Sequence, residues 1–321
     1  MTGHEGRQGA GNHAGLGSQR DTGSRPNLGS QRDTGSRPNL GSQRDVGRHP
    51  NLGRQGAGNH AGKGSQPDLD SRGNEPCPAA IRHVAVIVPA HNEEQRLGHA
   101  LGSLLRAVQG LEQHFPAVTT SIFVVLDSCT DRSARIAASF AAAHPILSAI
   151  DVKLRSTGAS RATGVASALE AGTQDPKGVW LANTDADSTV PADWLVRQVA
   201  LANAGADAIL GSVEPDPADS DAAVLLRWQE LHPFKESHPH IYGANLGVRA
   251  SAYLQSGGFP AVRAHEDRML VERLRRHGFR VQATDSIRVT TSGRTHARAP
   301  QGFAAYLRAL AQDVPVIAES A

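Results

Sequence analysis

From residue 83 to about residue 213 the chain alternates short, continuous apolar runs with longer stretches in which apolar positions recur every three or four residues. The run at 83–89 (HVAVIVP) is β-branched and continuous, as expected of a strand buried on both faces, and further strands are expected at 121–126, at 149–154, from 179 to the carboxylates at Asp185 and Asp187, and at 206–213. Between them the 3.6-residue period predicts helices from Asn92 to about Val108, to about Ala143, from about Ala159 to Ala171, and from Pro191 to about Asn203. Strands that alternate with helices in this way form βαβ units. They predict an α/β protein with a mostly parallel sheet and right-handed crossovers.

After residue 213 the pattern loosens. A helix is expected at 219–231, a histidine-rich loop at 232–242 and a short strand at 244–248. A helix at 266–277, strands at 279–283 and 287–291, and a last helix at 301–310 complete the reading. This half is expected to close one side of a site opened by the first half.

Residues 1–75 follow a different rule. The unit GSQRDTGSRPNL runs from 17 to 28, repeats at 29–40 and returns degraded at 41–52; GRQGAGNHAG occurs at 6–15 and again at 53–62. The stretch contains no Phe, Trp or Tyr. It cannot bury enough apolar surface to offset the entropy of ordering its backbone, so a disordered low-complexity tail is expected, with one globular domain at 76–321. Its weakly basic composition allows a reading as a basic arm or as a tail without function.

Charge and composition mainly exclude. A net charge of +2 over 321 residues gives no reason to expect nucleic acid as a partner. Two cysteines, Cys77 and Cys129, supply neither a disulfide framework nor a cysteine-rich zinc site. No apolar run approaches 18 residues and no apolar leader opens the chain, so the expectation is a cytoplasmic protein without a transmembrane segment. The first strand is not followed by Gly-x-Gly-x-x-Gly, which disfavours a nicotinamide oxidoreductase.

The candidate chemistry sits where strands end. Asp185-Ala-Asp187 closes the fourth apolar run, and in open α/β sheets ligands bind at the carboxyl edge. Two carboxylates at i and i+2 could hold a divalent cation, Mn2+ or Mg2+, through hard oxygen ligands. The same Asp-x-Asp-x-Thr could instead be the nucleophilic loop of a haloacid-dehalogenase-type phosphatase, with Asp185 as nucleophile. Pro89-Ala-His-Asn92-Glu93-Glu94 turns the first strand into a helix, either as an anion-binding N-terminus or as an ordinary capped turn. Asp127, after the second strand, could accept from a base N–H. Arg161, in Gly158-Ala-Ser-Arg-Ala-Thr-Gly164, could reach a phosphate, hold a carboxylate of the site, or lie in solvent. Glu266-Asp267, far from the Asp pair in sequence, offers a general base or merely an acid-decorated helix start. The loop 291–298 carries Arg294, His296 and Arg298, which could close over a diphosphate, with His296 as a further metal ligand.

Taken in order, these motifs resemble a family 2-type glycosyltransferase of the GT-A fold over about Val84 to Leu310. The apolar strand followed by Pro-x-x-Asn-Glu, the acidic turn at 127–131, Asp185-Ala-Asp187 with Pro-x-x-Trp-Leu at 191–195, and Glu266-Asp267 carry the likeness. The Gly-x-x-x-Ala-Arg-Asn-x-Gly segment is met only in part, and the late Gln-x-x-Arg-Trp of processive synthases is absent. The resemblance implies a three-layer α/β/α fold and transfer of a sugar from a nucleotide diphosphate sugar to an acceptor hydroxyl. It implies Asp267 as base, Asp187 on the cation, and Pro89, Asn92, Glu93, Asp127, Arg161, Asp185, Arg294 and Arg298 at the donor. Inverting, non-processive transfer is expected, and the acceptor could be a small molecule, glycan or lipid reached by peripheral membrane contact. A non-catalytic nucleotide-binding module remains the third reading.

Overall fold

Period-two alternation decides which residue faces which layer. In β1 (His83–Ala90), Val84, Val86 and Val88 enter one apolar cluster, while Ala85 and Ile87 enter another on the opposite face. In β4 (Val179–Asn183), Trp180 and Ala182 join the first cluster, and Val179 and Leu181 the second. A strand that buries both faces needs a helical layer on each side. The computed structural model describes residues 79–172, 174–295 and 303–313. The expected disordered tail, His296 and Arg298 therefore lie outside the described residues.

The remaining strands are β2 (Thr119–Asp127), β3 (Leu147–Val152), β5 (Ala208–Pro215), β6 (Leu246–Arg249) and β7 (Val281–Thr291). Helices α1 (Leu97–His114), α2 (Ser133–Ala143) and α4 (Trp194–Asn203) cover one face. Helices α3 (Thr157–Ala171), α6 (Ala250–Gln255) and α7 (Glu266–Arg276) cover the other. Helices α5 (Ala222–Leu231) and α8 (Phe303–Asp313) form a satellite around Val224, Trp228, Leu307 and Leu310.

The sheet order is β3-β2-β1-β4-β6-β5-β7, and among the described strands only β6 pairs antiparallel with its neighbours. From β1 the chain winds outwards to β2 and β3, then returns to place β4 on the other side of β1. That reversal makes the carboxyl ends of β1 and β4 a topological switch point, where a crevice forms. The β1–β4 ladder stops at Ile87↔Asn183, two residues short of Pro89, whose missing N–H cannot extend it.

Several expectations are corrected. The first helix begins at Leu97, not Asn92, because Asn92 takes φ +54°, a left-handed conformation incompatible with a helical turn. The strands expected at 279–283 and 287–291 are one strand, β7, whose register against β5 slips between Gly211 and Ser212. Pattern reading took this irregularity for a break. It also missed α6, which is too short to show a period.

Candidate functional site

Two loops at the carboxyl edge are tied to each other before any ligand is considered. Asn92 Oδ1 accepts from the Thr130 N–H at 2.7 Å, and Asp131 Oδ2 accepts from the Glu94 N–H at 2.9 Å. Glu94 Oε2 accepts from both Arg132 N (3.0 Å) and Arg132 Nε (2.9 Å), and Ser133 Oγ accepts from the Glu93 N–H at 2.8 Å. These bonds join the β1–α1 turn to the β2–α2 turn and fix Glu93 at the root of the crevice.

Asp127 serves the chain itself. Its Oδ1 accepts from Leu154 N (2.8 Å), Arg155 N (2.9 Å) and Ser128 Oγ (3.0 Å), its Oδ2 from Ser156 N (3.0 Å) and Ser160 Oγ (2.9 Å). Burial raises its pKa, but the three backbone N–H bonds and the Ser160 hydroxyl outweigh that and bring it below the ordinary carboxylate value. The bonds order the turn from β3 into α3. Accepting from a nucleobase, the role the sequence suggested, would require one of them to break.

Arg161 is 1% exposed, so it cannot lie against a bound donor; of the roles open to it, the structure selects that of holding carboxylates. Its Nη2 donates to Asp185 Oδ1 at 2.5 Å, its Nε to Glu266 Oε1 at 3.2 Å, and its Nη1 to the Thr184 carbonyl at 3.4 Å. Burial disfavours its charge, but the carboxylates of Asp185, Glu266 and Asp267 prevail and raise its pKa. One guanidinium thus joins the end of β4 to the start of α7. The glycines beside it make this approach possible. A Cβ at Gly243 would stand 2.7 Å from Arg161 Nη2 and 3.4 Å from Asp267 Oδ2, and one at Gly158 would stand 2.1 Å from the Pro260 carbonyl. Ser156 Oγ and Gly158 N both donate to the Val262 carbonyl, which draws the segment before α7 onto the start of α3. His265, at φ +65°, then turns the chain so that α7 begins with Glu266 and Asp267. Glu266 is buried against Arg161, while Asp267 is half-buried and its Oδ1 accepts from the Arg268 N–H at 2.7 Å.

Arg294, past the end of β7, donates to both oxygens of Glu93, at 3.0 and 2.8 Å, and its Nη2 lies 2.9 Å from Asp187 Oδ2. The other Asp187 oxygen has only long contacts, 3.3 Å to Ser188 Oγ and 3.4 Å to Thr291 Oγ1. Burial, followed by repulsion from Asp185 and Glu93, pushes the Asp187 carboxyl up to about 7, with Arg294 opposing. Burial also raises Asp185, although Arg161 lowers it. Between about pH 4 and 7 the folded chain therefore holds a proton on Asp187 that the unfolded chain has released. Its charge destabilises the fold fully above pH 7 and not at all below pH 4. Asp187→Asn is accordingly expected to raise the melting temperature in chelator at pH 8 by a few degrees, about 1–2 kcal/mol. The gain should vanish as the buffer approaches pH 4. A variant that melts at or below the parent at pH 8 would refute this electrostatic picture.

The donor set fits a hard divalent cation of the Mg2+ or Mn2+ type. It offers carboxylates at Asp185 and Asp187 with Glu93 close by, and the mutual repulsion that raises Asp187 is what such a cation relieves. No group of three His, Cys, Asp or Glu among the described residues is arranged as a complete metal site. Such an ion would take its remaining ligands from phosphates and water, as Mg2+ commonly does.

The structure brings together Glu93, Asp185, Asp187, Arg161, Asp267 and Arg294 from the expected set. Asn92 ties loops and Pro89 lies within β1 opposite Val125. Sequence reading missed Glu266 as the second anchor of Arg161 and Ser188 and Thr291 as the hydroxyls beside Asp187. A carboxylate preceding a candidate base was the one available signal.

An open α/β sheet with a topological switch point, paired carboxylates after β4 and a guanidinium that joins Asp185 to Glu266 at the start of α7 has its ligand-binding edge at the carboxyl ends of the strands. The sequence profile of glycosyl transferase family 2 matches residues 85–253, and the chain belongs to that family. It is 31% identical over 140 residues to the undecaprenyl-phosphate 4-deoxy-4-formamido-L-arabinose transferase of Edwardsiella ictaluri. That match covers 44% of this chain and 39% of the relative, so the chain spans about two fifths of that protein's length. Among solved structures, the mannosyltransferase PcManGT of Pyrobaculum calidifontis, in complex with GDP-Man and Mn2+, superposes with a TM-score of 0.50 at 20% identity, covering 73% of this chain and 63% of that one. Residues 1–349 of S. aureus TarS, in complex with UDP, give 0.47 at 16% identity, covering 65% and 61%. The PcManGT likeness agrees with the GT-A fold that the motifs implied.

Proposed function

We propose that the chain transfers a glycosyl group from a nucleoside diphosphate sugar to an acceptor hydroxyl, with inversion, one sugar per encounter, and with a divalent cation. The observation that carries this reading is the bridge through Arg161, which holds the paired carboxylates after β4 and the Glu266-Asp267 start of α7 on facing walls of one crevice. Family membership supports it, and so does the presence of GDP-Man and Mn2+ with the Pyrobaculum neighbour.

Asp185 and Asp187 would hold the cation, which would supply charge neutralisation to the departing diphosphate. Arg161 fixes the direction of Asp185 by gripping one oxygen, leaving the other available. Arg294 contributes the positive charge that this chain itself brings to the leaving group. Asp267 takes the proton from the acceptor hydroxyl as its oxygen attacks the anomeric carbon from the face opposite the diphosphate. The phosphatase alternative, with Asp185 as nucleophile, is disfavoured by the match to the glycosyl transferase family 2 profile over residues 85–253. The name of the Edwardsiella relative puts an undecaprenyl phosphate among the acceptors to test; there the attacking oxygen would be that of the phosphate, with no hydroxyl proton for Asp267 to take, and the reaction would lie at a membrane surface.

The test is thermal stability of the full chain against a panel of nucleoside diphosphates, with and without Mn2+. One nucleotide with Mn2+ should raise the melting temperature by several degrees, corresponding to about 2.7 kcal/mol at a hundredfold excess over Kd, and Asp187→Ala should abolish the rise. Failure of every nucleotide to shift the transition would overturn the reading. Release of free nucleoside diphosphate separates an enzyme from a binding module, and a product of retained anomeric configuration would rule out the direct displacement.

A further inference from the structure

We propose that Arg294 is a latch on this site. In the resting protein its guanidinium occupies the side of Asp187 that a divalent cation needs, Glu93 is its seat, and a nucleoside diphosphate draws it off. The inference rests on the reading of the crevice as a cation and diphosphate site, and adds how that site is kept closed to the cation alone.

Arg294 Nη2 is shared between Glu93 Oε1 and Asp187 Oδ2, at 2.8 and 2.9 Å, while Nη1 holds Glu93 Oε2 at 3.0 Å. The strong contact of Asp187 is thus with Arg294, since both hydroxyl contacts exceed 3.2 Å. A divalent ion on that carboxylate and a guanidinium at this distance repel each other, so one must leave. The seat is firm. The Glu93 N–H donates to Ser133 Oγ, and its carbonyl accepts from Arg96 N and Leu97 N. The root of the latch is firm too. Asp219 accepts from Ser292 Oγ and Gly293 N and is itself paired with Arg96, and a Cβ at Gly293 would fall 1.9 Å from Ser220 Oγ. The change therefore belongs to the Arg294 side chain rather than to the loop.

That side chain is not fully satisfied where it sits. Its Nε–H is buried and makes no hydrogen bond. A diphosphate offers a bidentate anion in exchange. Cation and nucleotide then favour the same unlatched state, and each binds better in the presence of the other.

The experiment measures Mn2+ binding to the full chain by the electron paramagnetic resonance of free Mn2+, with and without the nucleoside diphosphate that gives the largest thermal shift. In the parent the nucleotide should strengthen Mn2+ binding about tenfold or more. Arg294→Gln should bind Mn2+ alone about tenfold better than the parent, and the strengthening by nucleotide should fall towards unity. Arg294→Lys keeps the charge but cannot span Glu93 and Asp187, and should also lower the coupling. An equal change with and without nucleotide in Arg294→Gln would reveal a plain charge effect and overturn the latch while the site reading stands. Mn2+ binding that Asp187→Asn leaves unaltered would overturn the cation site and the latch together.

Discussion

Arg161→Ala is expected to cost about 3–5 kcal/mol of folding free energy. The substitution strands two carboxylates, Glu266 at 5% exposure and Asp185, that share this guanidinium in the native protein. Breaking a buried pair by removing one partner is far more damaging than replacing the whole group, because the remaining charge is left without compensation. The urea midpoint should fall while the m-value stays constant. Arg161→Lys should recover little, since one ammonium cannot bond Asp185, Glu266 and the Thr184 carbonyl from a single fork. Adding Glu266→Gln to Arg161→Ala should restore part of the stability by removing one stranded charge. A loss below about 1 kcal/mol in the single variant would show that water reaches the carboxylates and that the bridge does not hold the two walls.

Asp267→Asn is expected to lower turnover by about two to four orders of magnitude, the usual contribution of a positioned general base. Stability and donor binding should change little. Asp267 is half-buried, its Oδ1 accepts from the N–H of the following residue, and the ion pairs that join the walls use Glu266 instead. The measurement is sugar transfer under saturating donor, beside the thermal shift with nucleotide and Mn2+. Lost activity with the shift retained supports the base. If the shift is lost as well, Asp267 belongs to donor or cation binding, and the base must be sought elsewhere.

These two predictions concern residues of different legibility. Asp267 was marked as a candidate base from its place at a helix start far from the Asp pair. Arg161 was equally visible, but three roles were open to it, and only burial selects among them. A side chain 1% exposed cannot lie along a ligand. Asp127 shows the reverse. Its position after a strand suggested a base contact, yet the turn that supplies its three N–H partners, at 154–156, meets it only after β3 has paired with β2. Glu93 was read as part of a helix start, and the left-handed Asn92 shows why it is instead a fixed carboxylate in a turn.

The sequence by itself determined the βαβ order, the strands buried on both faces, and the loops in which the carboxylates lie. All of these follow from local periodicity and from residues adjacent in the chain. It also carried the ordered motifs of the family. Tertiary structure decided the antiparallel direction of β6, the unity of β7, and the partners of the charges described in the site. Pairing across 24 and 105 residues at Arg161, and 201 at Arg294, depends on how the sheet is wound. Local pattern contains no term for that distance, whereas a buried charge cannot do without a partner and so fixes the choice once the walls meet.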